Sequence, residues 1–274
     1  MYGLAKRARR GVLRALGLWS REHYDVEVVL EHGRPVYKKI TFKSEHQASA
    51  VADNLMRYGP TPHLPTFKGR RANVIWVDYI DGAPCKQIDD TLMPQIADCF
   101  GELAARESRL VALQATPYWS RHLANLSFLA EHGVLDRPLY RELTQRAEQI
   151  RPASVRIGFD YRDPIAPNLL QREDCGRICA IDVKNLHHNT LVGEGIAKAS
   201  DRWLCRDRRV YVFDHLRRLG MGDIEQGFEF IAAFERADRV KRKVERDLKL
   251  HARIRRSDRK SQQMIALLEP IATA

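Results

Sequence analysis

Polar and apolar residues alternate with a period of two over residues 24–30 and again over 35–42, with Glu31-His32-Gly33-Arg34 between them. Alternation broken by a turn of that composition predicts a β-hairpin. Ser44 then stands as an N-cap before Ala48, Val51, Ala52 and Leu55, which recur at helix spacing. After the break at Gly59-Pro60-Thr61-Pro62, two more strands are predicted over residues 64–68 and 73–80. From there the period lengthens to that of a helix. Ile96, Phe100, Leu103 and Ala104 predict a helix over residues 92–113, and residues 123–132 and 138–150 predict two more. Two short apolar runs, residues 168–170 and 178–183, flank a turn at 172–176 and predict a second hairpin. Helical pattern resumes at Ile196 and continues through Trp203, Leu204, Val210, Phe213, Leu216 and Leu219.

Both ends of the chain are basic. In the first nineteen residues Leu4, Ala8, Val12, Ala15, Leu16 and Trp19 share one helical face, while Lys6, Arg7, Arg10 and Arg14 fall mostly elsewhere. Such a helix packs on the protein body or lies on an anionic membrane surface; the arginines interrupt the continuous apolar core of a secretory signal. Residues 233–274 carry Arg236, Arg239, Lys241, Arg242, Lys243 and Arg246 among acidic neighbours, which reads as a solvated basic helix or a surface for phosphate groups.

Composition changes this picture little. The 274 residues are 44% hydrophobic and 30% charged, as in an ordinary globular protein with ample core. The formal charge of +11 favours an anionic partner, but no nucleic-acid module accompanies it, and nucleic acid ranks last among the candidates. The five cysteines include no C-x-x-C and read as reduced thiols rather than a zinc site. No apolar run approaches the roughly 18 residues of a membrane span. The expected compartment is the cytoplasm, with a peripheral place at the inner face of the membrane as the alternative.

The second hairpin brings Asp163, Asn168 and Asp182 to one end. Phosphoryl transfer needs such a set: a carboxylate that orients the attacking hydroxyl, and oxygen ligands that hold Mg²⁺ on the phosphates. The plain alternative is an Asp and an Asn closing a turn. In residues 36–40 strand parity puts Lys38 on the face of Val36 and Ile40, and a slip of one residue would exchange it with Lys39. Glu45, in the first turn of the following helix, and Asp53 are two possible carboxylate partners for that lysine.

Tyr161-Arg162-Asp163 with Asn168 five positions on resembles the catalytic loop H-R-D-x-x-x-x-N of the protein-kinase-like superfamily, and Asp182-Val183-Lys184 stands where that superfamily has D-F-G. Val77-Asp78-Tyr79-Ile80-Asp81-Gly82 resembles its hinge, and the strand with Lys38 resembles the one carrying its phosphate-binding lysine. The order of the parts is the same. Tyr79-Ile80-Asp81-Gly82 and the Asp-Pro before the Asn look most like small bacterial kinases of the lipopolysaccharide core heptose kinase and aminoglycoside phosphotransferase type.

The resemblance implies an α+β, two-lobed protein-kinase-like fold. A basic helix over residues 1–22 would precede a small lobe with a mixed sheet (23–81), a mainly helical lobe (82–232) and a basic helical tail (233–274). It implies ATP and Mg²⁺, with Asp163 orienting the acceptor, Asn168 and Asp182 holding metal, and Lys38, paired with Glu45, on the phosphates. The Asp78 carbonyl and the Ile80 N–H would meet adenine. The acceptor would be a small molecule or glycolipid, such as a core heptose; a protein Ser/Thr kinase and a non-catalytic kinase-like binding protein are the alternatives. Three departures bear on activity: no glycine-rich loop precedes the lysine strand, Tyr161 replaces His, and Val183-Lys184 replace Phe and Gly.

Overall fold

The computed structural model describes residues 24–85 and 88–249. The basic helix expected over residues 1–22 and the end of the tail lie outside the described residues. The chain divides into two compact units, one ending at Asp81 and the other beginning at Gly82.

In the first unit, β1 (Tyr24–Glu31), β2 (Arg34–Phe42), β3 (Phe67–Arg71) and β4 (Val74–Asp78) form a sheet in the order β1-β2-β4-β3. Every pairing is antiparallel, so the mixed sheet expected for this unit is corrected: each connection is a hairpin or a single helix returning to an edge. Ile40 pairs with Ile75 and Lys38 with Val77. Against the buried face of Ile40, Phe42, Ile75 and Val77 packs α1 (Glu45–Tyr58), which buries Ala48, Val51, Ala52 and Leu55. Ser44 caps it, its hydroxyl accepting from the Gln47 N–H at 3.3 Å.

The second unit is built on two small sheets and seven helices among the described residues. One sheet joins β5 (Gly82–Pro84), β8 (Leu169–Arg172) and β9 (Ile178–Ala180); the other has the order β10-β7-β6, with β6 (Arg109–Ala112), β7 (Ser154–Tyr161) and β10 (Leu186–Leu191). The helices are α2 (Met93–Ala105), α3 (Tyr118–Glu131), α4 (Arg137–Gln149), α5 (Glu194–Ser200), α6 (Arg206–Arg218), α7 (Asp223–Gln226) and α8 (Phe228–Lys249).

Two expectations change here. The helix predicted over residues 92–113 ends at Ala105, because Glu107 turns into the left-handed region (φ 51°) and the next residues pair with β7 instead. The basic tail is also more than a solvated helix. Between its charges α8 presents Ala233, Ala237, Val240 and Val244, all buried, against Leu126, Leu129 and Leu143 of α3 and α4. The charge run masked a 3.6-residue apolar period, which is what makes this helix part of the core.

Candidate functional site

β7 is buried along nearly its whole length and delivers the chain to a loop at Asp163. That loop is tightly specified. The Asp163 carbonyl accepts from the Ile165 N–H at 2.8 Å and from Asn168 Nδ2 at 2.9 Å, and Asn168 Nδ2 also lies 3.3 Å from Asp163 Oδ2. The Ile181 N–H donates to the Asn168 carbonyl at 2.9 Å, so the residue before Asp182 is fastened to the Asn. Asp163, Asn168 and Asp182 therefore do meet at one end of the β8–β9 hairpin.

The donor set fits a hard divalent cation. Asn168 uses its amide N–H group on Asp163, which leaves Oδ1 as the atom able to face a metal. Asp182 Oδ2 takes Asn185 Nδ2 and Lys184 Nζ, each at 2.9 Å, and the carboxylate has its other oxygen to offer. One carboxylate and one amide oxygen, completed by phosphate oxygens and water, suit Mg²⁺, which keeps few protein ligands.

Two of the departures acquire a local explanation. Tyr161 is buried, and its hydroxyl accepts from the Asp182 N–H at 3.3 Å, bracing the residue expected to hold metal. Burial, reinforced by Asp182, raises this phenol well above its ordinary value, so it stays protonated. Lys184, at the place of the glycine in the D-F-G pattern that this stretch resembles, gives Asp182 a cation of its own. Arg162 pairs with Glu194 of α5 and lies 4.0 Å from Asp238 of α8. Asp160, also buried, accepts from the Gly193 and Gly195 N–H groups at 2.9 and 2.8 Å, tying the start of α5 to β7. Burial, then the neighbouring Glu194, pushes the Asp160 carboxyl up to about 7.

α5 carries a residue that the sequence reading missed. Lys198 Nζ lies 2.6 Å from Asp163 Oδ1. The pair comes from segments 35 positions apart, and no spacing rule signals it; only the packing of α5 on β7 brings them together. Gly195 makes that packing possible, since a Cβ there would fall on the Tyr161 carbonyl. Trp203 adds a brace, its indole N–H donating to the Pro164 carbonyl at 2.7 Å.

In the first unit Lys38 lies on the face of Ile40 and Phe42, whereas Lys39 points to the other face and pairs with Glu27 at 3.2 Å. Strand register puts Val26 opposite Ile40 and Val28 opposite Lys38, and both valines are about half exposed (45% and 47%). The Lys38 face thus carries open apolar surface beside a cation. Glu45 is exposed in the first turn of α1 and pairs with Arg70 of β3 at 3.2 Å, a different cation from the one expected; Asp53 accepts from Ser49 at 3.4 Å. At the end of β4 the Asp78 carboxylate pairs with Lys68 at 3.0 Å, and its N–H donates to Thr66. The Tyr79 N–H is taken by Val36 at 2.9 Å, while the Ile80 N–H reaches no backbone carbonyl among the described residues.

No family model matches the chain, and no curated protein matches it in sequence. Solved structures do match in fold. Macrolide 2'-phosphotransferase MphH from Brachybacterium faecium superposes with a TM-score of 0.59 over 97% of this chain and 96% of its own, at 12% identity. An ethanolamine kinase from Plasmodium vivax gives 0.55 over 92% and 83%, at 12% identity. The GDP complex of aminoglycoside 2'-phosphotransferase-IIIa gives 0.55 over 97% and 98%, at 13% identity. The chain has the protein-kinase-like α+β fold.

Proposed function

We propose that the protein is an ATP-dependent phosphotransferase that moves a phosphoryl group to a hydroxyl of a small-molecule or glycolipid acceptor. The observation that carries this reading is the hydrogen bonding of Asn168 to Asp163 and of Ile181, the residue before Asp182, to Asn168 at one hairpin end, with Lys198 on Asp163. Phosphotransferases acting on macrolides, aminoglycosides and ethanolamine share the fold. A sugar of the lipopolysaccharide core heptose type is the acceptor favoured by Tyr79-Ile80-Asp81-Gly82 and Asp163-Pro164.

Asp163 takes the role of orienting the acceptor hydroxyl and accepting its proton, while Lys198 fixes Oδ1 and neutralises charge beside it. Asn168 Oδ1 and Asp182 would hold Mg²⁺, which when bound supplies charge neutralisation on the phosphates. Lys38 would meet the phosphates. The half-exposed Val26 and Val28 offer an apolar face for a base, and the Asp78 carbonyl and Ile80 N–H offer its polar edge two partners. The acceptor oxygen forms a bond to the γ-phosphorus, the bond to the β-phosphate oxygen breaks, and ADP leaves.

Thermal shift with ATP, with and without Mg²⁺, tests the nucleotide half, since a ligand that binds only the native state raises the melting temperature. A Mg²⁺-dependent rise is expected; no shift at millimolar nucleotide would sink the proposal. The Lys184–Asp182 pair at 2.9 Å favours a second reading, a non-catalytic nucleotide-binding protein in which the lysine stands in for the metal. That reading predicts equal shifts with and without Mg²⁺ and no ATP consumption across sugar, glycolipid and protein acceptors.

A further inference from the structure

Four helices of the second unit, α4, α6, α7 and α8, line an open cavity of about 820 Å³. That volume lies within the range of small-molecule sites, roughly 300–1,000 Å³. Its floor is apolar: Phe213 and Phe228 meet edge to face at 5.1 Å, beside Val210, which is 51% exposed. Four arginines, Arg146, Arg206, Arg209 and Arg236, line it with two glutamates, Glu225 and Glu229.

The charges do not balance. Glu229 is taken by Arg146 at 2.8 Å, and Glu225 by Arg217 at 3.0 Å. Arg236 is held by Asp201, outside the lining, at 2.6 Å. Arg206 and Arg209 form no ion pair among the described residues; Asp201, held by Arg236 and Arg239, acts on Arg209 only at longer range, and Arg209 lies over the Phe228 ring, 5.0 Å from its centroid. Both sit in the first turns of α6, where the helix dipole disfavours a cation and the N-cap Cys205 makes no side-chain bond. Burial, with Arg236 and Arg206 close by, lowers the Arg209 guanidinium from its ordinary value. The like charges of Arg206, Arg209 and Arg236 repel across an apolar surface, and an anion between them would turn that repulsion into attraction.

We propose that this cavity is a binding site for a phosphate monoester carried on an apolar body. Two guanidinium groups without ion-pair partners among the described residues match the nearly two negative charges of a phosphate monoester at neutral pH, and guanidinium binds phosphate through paired N–H donors. Phe213, Phe228 and Val210 would take the apolar part. The site uses neither Asp163 nor Lys38 and stands apart from the phosphotransferase reading.

Calorimetry on the full chain tests the site with three soluble probes: dihexanoyl phosphatidic acid, glycerol 3-phosphate and dihexanoyl phosphatidylcholine. The phosphatidic acid is expected to bind at least tenfold more tightly than glycerol 3-phosphate, with no binding of the phosphatidylcholine. The double variant Arg206→Gln/Arg209→Gln should lose at least tenfold in affinity for phosphatidic acid while melting at or above the wild-type temperature, because like charges have been removed. Val210→Glu, at an exposed position, provides a second variant that should abolish binding without unfolding the chain. Mg-ATP shifts should be unchanged in every variant, which keeps a failure here distinct from a failure of the phosphotransferase reading. Equal binding by wild type and the double variant, equal binding of all three probes, or no binding at all would overturn the proposal.

Discussion

Lys38 and Asp163 are held in position by different means. In the sheet unit, strand parity sets the face of Lys38, and its neighbours Val26 and Val28 are open to solvent. In the helical unit, Asp163 is fixed by its own carbonyl, by Asn168 and by Lys198, behind a buried layer of Tyr161, Asp160 and Glu194. Under the proposed function, the first arrangement would suit a surface that admits and releases a nucleotide, and the second a group that must not move while a proton is transferred. The comparison implies that substitutions in the sheet unit alter binding gradually, whereas those around Asp163 alter turnover or folding steeply.

The largest expected effect is on turnover. Asp163→Asn should lower phosphoryl transfer on the order of 10³-fold, measured as ADP formation, and leave the Mg-ATP thermal shift intact. Lys38→Met should do the reverse in kind, weakening the shift. If Asp163→Asn weakened nucleotide binding as much as Lys38→Met, the division of labour between the units would be wrong. Lys198→Met should reduce turnover with little change in nucleotide affinity, as expected of a positioning residue.

Glycine replacements sharpen the contrast in stability. Gly195→Ala drives a Cβ into the Tyr161 carbonyl and should cost about 3 kcal/mol or more. Gly33→Ala, at φ 79° in the β1–β2 turn with open space around it, should cost only about 1 kcal/mol. Denaturant melts of both variants decide the point; similar losses would deny the helical unit its special rigidity.

Acid should separate the units next. His122 is buried among Phe230, Phe234 and Trp119, and burial lowers it to about 4; burial and then Arg162 lower His187 to about 4 as well. A histidine depressed in the fold contributes fully above its unfolded value near 6.5, and that stability is lost as pH falls toward 4. Asp160 opposes this. Raised to about 7, it favours the fold most at low pH, and that gain is lost as pH rises from about 4 to 7. His122→Leu should therefore reduce the acid-induced loss between pH 6.5 and 4 by on the order of 3 kcal/mol, read from denaturant melts at each pH. An unchanged pH profile would place the His122 titration elsewhere.

The smallest effect belongs to the open face of the sheet. Val28→Ala should change stability by less than about 1 kcal/mol yet weaken Mg-ATP binding several-fold. A variant that bound nucleotide normally would remove Val28 from the proposed base-binding face.

Local pattern carried most of the sheet unit. Alternation over residues 24–42, the Ser44 cap and the helix behind it lie close to the observed β1, β2 and α1, because strand parity and capping are short-range effects. The spacing of Asp163 and Asn168 was legible for the same reason, since a five-residue separation closes a loop by itself. Strands β6, β7 and β10 were not legible. β7 is buried on both faces, so its residues do not alternate, and Arg109–Ala112 chose pairing with it over helix continuation. α8 was concealed by its charges, although Ala233, Ala237, Val240 and Val244 keep the apolar period.

The sequence, then, carried the strand parity of Lys38, the local spacing of Asp163 and Asn168 and the order of the proposed phosphoryl-transfer residues along the chain. Only the tertiary structure decided that Lys198 would neutralise Asp163, that Tyr161 would brace Asp182, that Glu45 would face Arg70, and that Arg206 and Arg209 would line one cavity with no ion pair of their own among the described residues. These are contacts between residues distant in the chain. They are set by how buried faces pack, and no local periodicity encodes them.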